Sequence, residues 1–212
     1  MPARPSIEKL KLIPLNDKGM KEIIPADILP PAEYAKRRPA MRAEIVAKKK
    51  NRRLEVGPVA TFYFECYETM LQQVQEMLHI EKGGEAQIAD ELSAYNPLIP
   101  KGQELVATVM FEIDDPVRRG RLLARLGGIE NTMFVKVGED KVKGIAEQDQ
   151  DRTSAEGKAS SVQFVHFSFT RAQIDAFRKP GTTVIVGMDH ENYAHMAVMP
   201  DAVRQELAKD FD

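Results

Sequence analysis

Ten residues, "ELVATVMFEI" at positions 104–113, constrain the fold more than any other stretch of this chain. Apolar side chains stand at nearly every position instead of every second one. A strand with that pattern is expected in the interior of a sheet, covered on both faces. The segments that follow supply the cover. "DDPVRRGRLLARLGG" is a helix with Asp115 as N-cap, Pro116 in the first turn and Gly127-Gly128 at its end. "MFVKVGEDKVKGIAE" is a hairpin turning at Gly138-Glu139-Asp140, and "QDQDRTSAEGKASS" is a polar, exposed loop and the best candidate for mobility. Then come a strand "VQFVHFSF", a helix "TRAQIDAFRK" with a capping box of Thr170 and Gln173, a strand "TTVIVGMDH" and a closing helix "PDAVRQELAKDF". Hairpins and short crossovers give an α+β fold: a mixed, mainly antiparallel sheet with helices packed on it.

A helix-rich region precedes the sheet. Residues 1–20 lack sustained periodicity and read as a loosely ordered arm. Residues 21–102 form a helical region with a short strand pair. Its first helix runs through "AEYAKRRPAMRAEIVAKKK", with Pro39 as an interruption near the start, and two strands flank Gly57-Pro58. Thr69 and Gln72 have capping-box spacing and open an amphipathic helix whose apolar stripe is Met70, Val74, Met77 and Leu78. A further helix ends at Asn96-Pro97, and Pro100-Lys101-Gly102 is the seam before the sheet region of 103–212. The two regions are expected to form one compact unit.

Composition removes several classes of function. A net charge of −2 over 212 residues creates no global field towards nucleic acid or membrane. The single cysteine, Cys66, rules out an internal disulfide and any multi-cysteine metal site. "MPARPSIEKL" has no apolar signal region and no apolar run approaches a bilayer span, so the cytoplasm is the expected location and no membrane role is expected. Glycine-rich phosphate loops, G-x-S-x-G and H-E-x-x-H are missing. "RLGGIEN" runs from helix to strand, the reverse of the order a nucleotide loop needs.

Three places remain. In "VIVGMDHENYAHMAVMP", a two-residue turn at Glu191-Asn192 would set His190 opposite Tyr193 and Met188 opposite His195. The two histidines would then share a face and could approach one metal ion, with His166 of "VQFVHFSF" as a third ligand if that strand were adjacent; the alternative is a hairpin whose histidines bond to backbone. Iron, zinc or haem would suit imidazole with oxygen donors. In "FYFECYETMLQQVQEMLHIE", Glu65, Tyr67 and Glu68 lie where strand passes into helix. Glu76 and His79 have Glu-x-x-His spacing, which reads either as half of a metal motif or as a solvated helix face. Finally, residues 36–53 hold nine Lys or Arg and one Glu, a local charge of +8. Arg37, Arg38, Arg42, Lys48, Lys49, Lys50, Arg52 and Arg53 form a candidate surface for an acidic partner. No aromatic residues interleave them, so nucleic acid is not the expected partner.

"ATFYFECYETMLQQVQEMLHIEK", "AYNPLIPKG" and "GMDHENY" resemble a bacterial family of uncharacterised proteins. Genes of that family tend to sit beside a rubrerythrin-like protein and an iron-sulfur oxidoreductase. The resemblance implies a cytoplasmic accessory role in peroxide handling or iron-linked redox metabolism. Within its motifs fall Glu65, Tyr67, Tyr95, Asn96, His190, Asn192 and Tyr193. The leading expectation is an accessory protein that docks a redox metalloprotein. The alternatives are a metal- or haem-binding redox protein using the C-terminal histidines, and an enzyme on a small anionic substrate. An unpaired edge strand would also permit a homodimer.

Overall fold

The interior strand lies between two layers of apolar cover, and a computed structural model describing residues 22–147 and 152–212 shows what each layer is. The arm expected over 1–20 and the first four residues of the polar loop, 148–151, lie outside the described residues. The helices are α1 (Pro31–Lys49), α2 (Tyr67–Glu81), α3 (Gly84–Tyr95), α4 (Pro116–Leu123), α5 (Arg171–Arg178) and α6 (Asp201–Leu207). The strands are β1 (Arg53–Val56), β2 (Ala60–Phe64), β3 (Glu104–Phe111), β4 (Met133–Val137), β5 (Asp140–Lys143), β6 (Ile145–Ala146), β7 (Val162–Ser168), β8 (Val184–His190) and β9 (Tyr193–Val198). The α+β class holds. The single sheet expected is two sheets, of order β1-β2-β3-β7-β6 and β5-β4-β8-β9, and all their strand pairings are antiparallel.

Between the sheets lies the main core, where Phe62, Phe64, Ala107, Val109 and Val165 meet Val135, Val186 and Met188. Side chains alternate along β3, so Val106 points the other way, into a second cluster with Met70, Val74 and Leu92 of α2 and α3. This is why β3 is apolar on both faces: one packs on a sheet, the other on helices. The chain passes from one sheet to the other at Gly144, between β5 and β6, where a Cβ would strike Val165 and Phe167. No helix among the described residues is long and apolar enough to cross a membrane.

Local signals account for most boundaries. The Asp115 carboxylate accepts from the Arg118 amide at the start of α4, and Thr170 and Gln173 cap α5 reciprocally. Two expectations are corrected. Helix α2 begins at Tyr67, with Cys66 as N-cap and Thr69 at its third position, so Thr69 bonds back to the Cys66 amide and does not open the helix. The Thr69 hydroxyl meanwhile donates to Glu65, a contact that reaches outside the helix. Pro39 does not interrupt α1, which runs through it. Anchors on both sides of the proline hold the helix down on α2. Tyr34 and Arg38 both bond to Glu76, and Arg42 reaches the same carboxylate. Arg38 donates through two nitrogens and holds the Glu76 carboxyl down at about 2, while burial and Glu76 push the Tyr34 phenol up to about 12.

One charge lies deep inside. Arg52 is 2% exposed. Its guanidinium donates to the Phe64 and Glu65 carbonyls and through two nitrogens to the Asp210 carboxylate, near the C-terminus. Glu206 also reaches the guanidinium, at 3.7 Å. Removing Arg52 or Asp210 breaks this buried network, which costs about 3–5 kcal/mol. Arg52→Leu or Asp210→Leu alone is expected to destabilise by that amount in urea denaturation. The double replacement should recover only part of the loss, because the Phe64 and Glu65 carbonyls stay without their donor.

Candidate functional site

The residues singled out from sequence separate onto two sides of the molecule. Glu65 is buried, accepting from the hydroxyls of Thr69 and Thr108. Tyr67 and Tyr95 pack against the second cluster, and burial pushes both phenols up, Tyr67 further through the Asp27 carboxylate. Asn96 forms a reciprocal pair with the Ile23 backbone. Glu68 is bonded by Lys48. All five belong to the helical side of the five-stranded sheet, whereas Tyr193 belongs to the core on the other side. They do not line one pocket with Asn192 and Tyr193, because the whole sheet stands between. Cys66 is buried beside them, and burial pushes its thiol up to about 11 despite the nearby Arg52.

The β8–β9 hairpin has the expected register, His190 opposite Tyr193 and Met188 opposite His195. His190 nevertheless has both ring nitrogens engaged: Nδ1 accepts from the Asn192 amide, and Nε2 faces the Gly127 carbonyl at 3.2 Å. His195 sits at the exposed rim, its ring against Tyr193. His166 does not join them. Its strand, β7, pairs with β3 and β6 in the other sheet, not with β8. There it stands between Glu104 and Glu147, at 3.1 and 2.9 Å from its two nitrogens. Among the described residues, no group of three or more His, Cys, Asp or Glu is disposed to hold a metal ion. The Glu76–His79 spacing serves packing instead: Glu76 clamps α1, and His79 meets the Tyr34 ring edge-on.

The basic segment is also redistributed. Arg52 is in the core and cannot meet a partner. Arg38 and Arg42 face Glu76, Lys48 faces Glu68, and Arg37 pairs with Glu33 one turn away. Lys49, Lys50 and Arg53 remain at the end of α1 and the start of β1.

A different set of cations converges. Arg118, Arg121 and Arg125 recur at i, i+3 and i+7, so they follow one face of α4 and the turn after it. The opposite face carries the buried Leu123 and Leu126, which fix the rotation of the helix. These arginines border a cleft of about 380 Å³ between α4, the β1–β2 turn and the β8–β9 hairpin. Pro58, Val59, Ile113 and Leu122 give it apolar walls; Asn192, Tyr193 and His195 complete it. Among the described residues, no carboxylate lines the cleft.

Each of the other walls is held rigidly. The Tyr193 hydroxyl donates to the Val56 carbonyl and accepts from the Val59 and Ala60 amides, buckling the hairpin onto the β1–β2 turn. Gly57, with φ of 73°, makes that contact possible, since a Cβ there would lie 2.6 Å from the His195 ring and 2.8 Å from the Tyr193 oxygen. Asn192 accepts from the Arg125 guanidinium at 2.9 Å and donates to the Arg125 carbonyl at 3.1 Å, which aims that side chain. By contrast Arg119, in the same run, turns inward and bonds to the Ile113 carbonyl. What the arrangement offers chemically is a row of exposed guanidiniums, one of them aimed by Asn192, suited to planar oxyanions. Asn192, Tyr193 and His195 were legible as site residues; the three arginines were not identified. The signal that would have found them is their helical spacing opposite Leu123 and Leu126.

His166 supplies a pH test. Burial disfavours its charged form, but Glu104 and Glu147 more than offset this and the net shift is upward. A raised folded value means the stabilisation is fully present below the ordinary value of 6.5 and is lost as pH rises through the folded one. His166→Gln is therefore expected to destabilise most at pH 5–6 and progressively less towards pH 9, read by denaturant midpoints across the series. A difference that grew with pH would contradict this.

A family model described as "Protein of unknown function (DUF3501)" matches residues 22–211. No curated protein matches the chain. A crystal structure at 1.90 Å of a protein of unknown function from Burkholderia pseudomallei K96243 is similar, with 36% identity and a TM-score of 0.83. The likeness covers 90% of this chain and 99% of that one. With the family model spanning nearly the whole described fold, the chain belongs to the DUF3501 family of proteins of unknown function.

Proposed function

We propose that this protein is a cytoplasmic accessory component that docks an acidic partner at the α4 cleft. The observation that carries the reading is the row of Arg118, Arg121 and Arg125 beside a cleft whose lining, among the described residues, holds no carboxylate. Elsewhere in the fold, Arg37, Arg38, Arg42 and Lys48 of α1 meet the protein's own acids. Exposed guanidiniums left facing a hollow raise the local potential, speed the encounter with acidic groups and bind them through two parallel hydrogen bonds. The family resemblance points to the class of partner, a metalloprotein of peroxide-linked or iron-linked redox metabolism. In that role the chain contributes recognition and orientation, and the redox chemistry belongs to the partner. A second reading is favoured by the cleft volume, which falls in the range of small-ligand sites, about 300–1,000 Å³. In it a small anionic molecule occupies the cleft.

Affinity capture from a native lysate at low salt tests the first reading. The wild type is expected to retain an acidic, metal-containing protein. The triple variant Arg118→Ala, Arg121→Ala, Arg125→Ala should recover at least tenfold less of it, with its thermal melt unchanged. Equal recovery by both would contradict docking at this cleft.

A further inference from the structure

We infer that β9 is a docking edge for a second copy of this chain, the two β9 strands pairing antiparallel about a two-fold axis at Met196. This stands apart from the α4 reading and does not depend on it. Among the described residues the fold has four sheet edges, β1 and β6 in one sheet and β5 and β9 in the other. A free edge offers its backbone groups to any other strand, and proteins that stay single guard against this with charge, proline or shortness. Three of the edges are guarded. β1 carries the exposed Arg53 and Glu55, β5 carries the exposed Asp140, Lys141 and Lys143, and β6 is only two residues long. β9 has no Asp, Glu, Lys, Arg or Pro, and its register with β8 runs from Tyr193 to Val198 without a bulge.

The hydrogen bonds of β8 show which groups β9 leaves open. The Met199 amide donates to the Val184 carbonyl, while the Asp189 amide donates to the Thr132 carbonyl on the β4 side. Bonds alternate along an antiparallel strand, so Tyr193, His195 and Ala197 are the positions that bond to β8. The amides and carbonyls of Ala194, Met196 and Val198 therefore point to the unpaired side. Their side chains stand on the outer face of the sheet, with Met196 68% and Val198 63% exposed. Met196 and Phe134 close over Gly187, where a Cβ would strike both, so the apolar strip continues inward from the edge.

This edge is complementary to itself. With the axis at Met196, that residue meets Met196 of the partner subunit, and Ala194 meets Val198 of the partner subunit. Every outward amide and carbonyl of both strands is then bonded. Small faces large, the flexible methionines fill the middle, and no charge opposes its own copy. A slip of two residues would set Ala194 against Pro200 of the partner subunit, which has no amide to give, so the register is limited at that end. Because the strands run antiparallel, the two α4 clefts, each lined by His195, flank the joint at opposite ends.

Sedimentation equilibrium of the full-length protein, from micromolar to millimolar concentration, tests the pairing. The wild type is expected to reach twice the chain mass of 23.8 kDa. Amide exchange at Ala194, Met196 and Val198 should slow as the dimer forms. Met196→Lys and Met196→Glu each bring like charges face to face and should weaken association at least tenfold, with unchanged thermal melts in dilute solution. An equal mixture of the two should restore it, since opposite charges then meet. A wild type that stays at the chain mass overturns the inference and leaves β9 to a strand of another protein. A dimer that survives in both variants, or whose three amides exchange freely, also overturns it by placing the contact on another face. Variants that dissociate and do not recombine on mixing overturn the self-opposed register, and the inference with it.

Discussion

A guanidinium taken out of water must find a carboxylate, and Arg52 finds Asp210, 158 residues further along the chain. That one pairing ties the first strand hairpin to the C-terminal turn. Through the Phe64 and Glu65 carbonyls it also fixes the point where β2 gives way to α2. Between these ties lie the two sheets and the core they enclose. At the other end of that hairpin the Tyr193 hydroxyl holds the β1–β2 turn, so this wall of the α4 cleft is set before any ligand arrives.

Electrostatics then divides the molecule. On α1 the cations are matched from within: Glu76 collects Tyr34, Arg38 and Arg42, and Glu68 collects Lys48. Such contacts hold a helix that buries little apolar surface, Tyr34 being its one fully buried side chain. On α4 the arrangement reverses. The helix is held by apolar residues on its inner face, and its outward arginines are not needed for packing. Charge that does nothing for the fold is the better guide to function.

The sequence showed the elements more clearly than their partners. Asp115-Pro116 and Thr170-Gln173 carry their geometry locally, within three or four residues, and both read correctly, while the two-residue turn at Glu191-Asn192, open in the sequence, is the one the hairpin adopts. His166 did not, because which strand lies beside β7 is decided by the non-local pairing with β3 and β6. The division of Glu65 and Tyr95 from Tyr193 was likewise hidden, since both sides of a central strand are apolar and the sequence does not say which elements lie on which. Residues 36–53 misdirected for a related reason. Charge counts are local, while the acids that engage Arg38 and Arg52 lie 38 and 158 residues away. The arginines of α4 were visible in "PVRRGRLLAR", but the packing of the β8–β9 hairpin beside their helix face was not.

The most direct measurement is an NMR titration of the arginine Nε–Hε resonances with poly-glutamate. The account requires Arg118, Arg121 and Arg125 to shift together and saturate, while Arg38 and Arg42, already bonded to Glu76, stay in place. Equal movement of the α1 arginines, or still signals from α4, would contradict it.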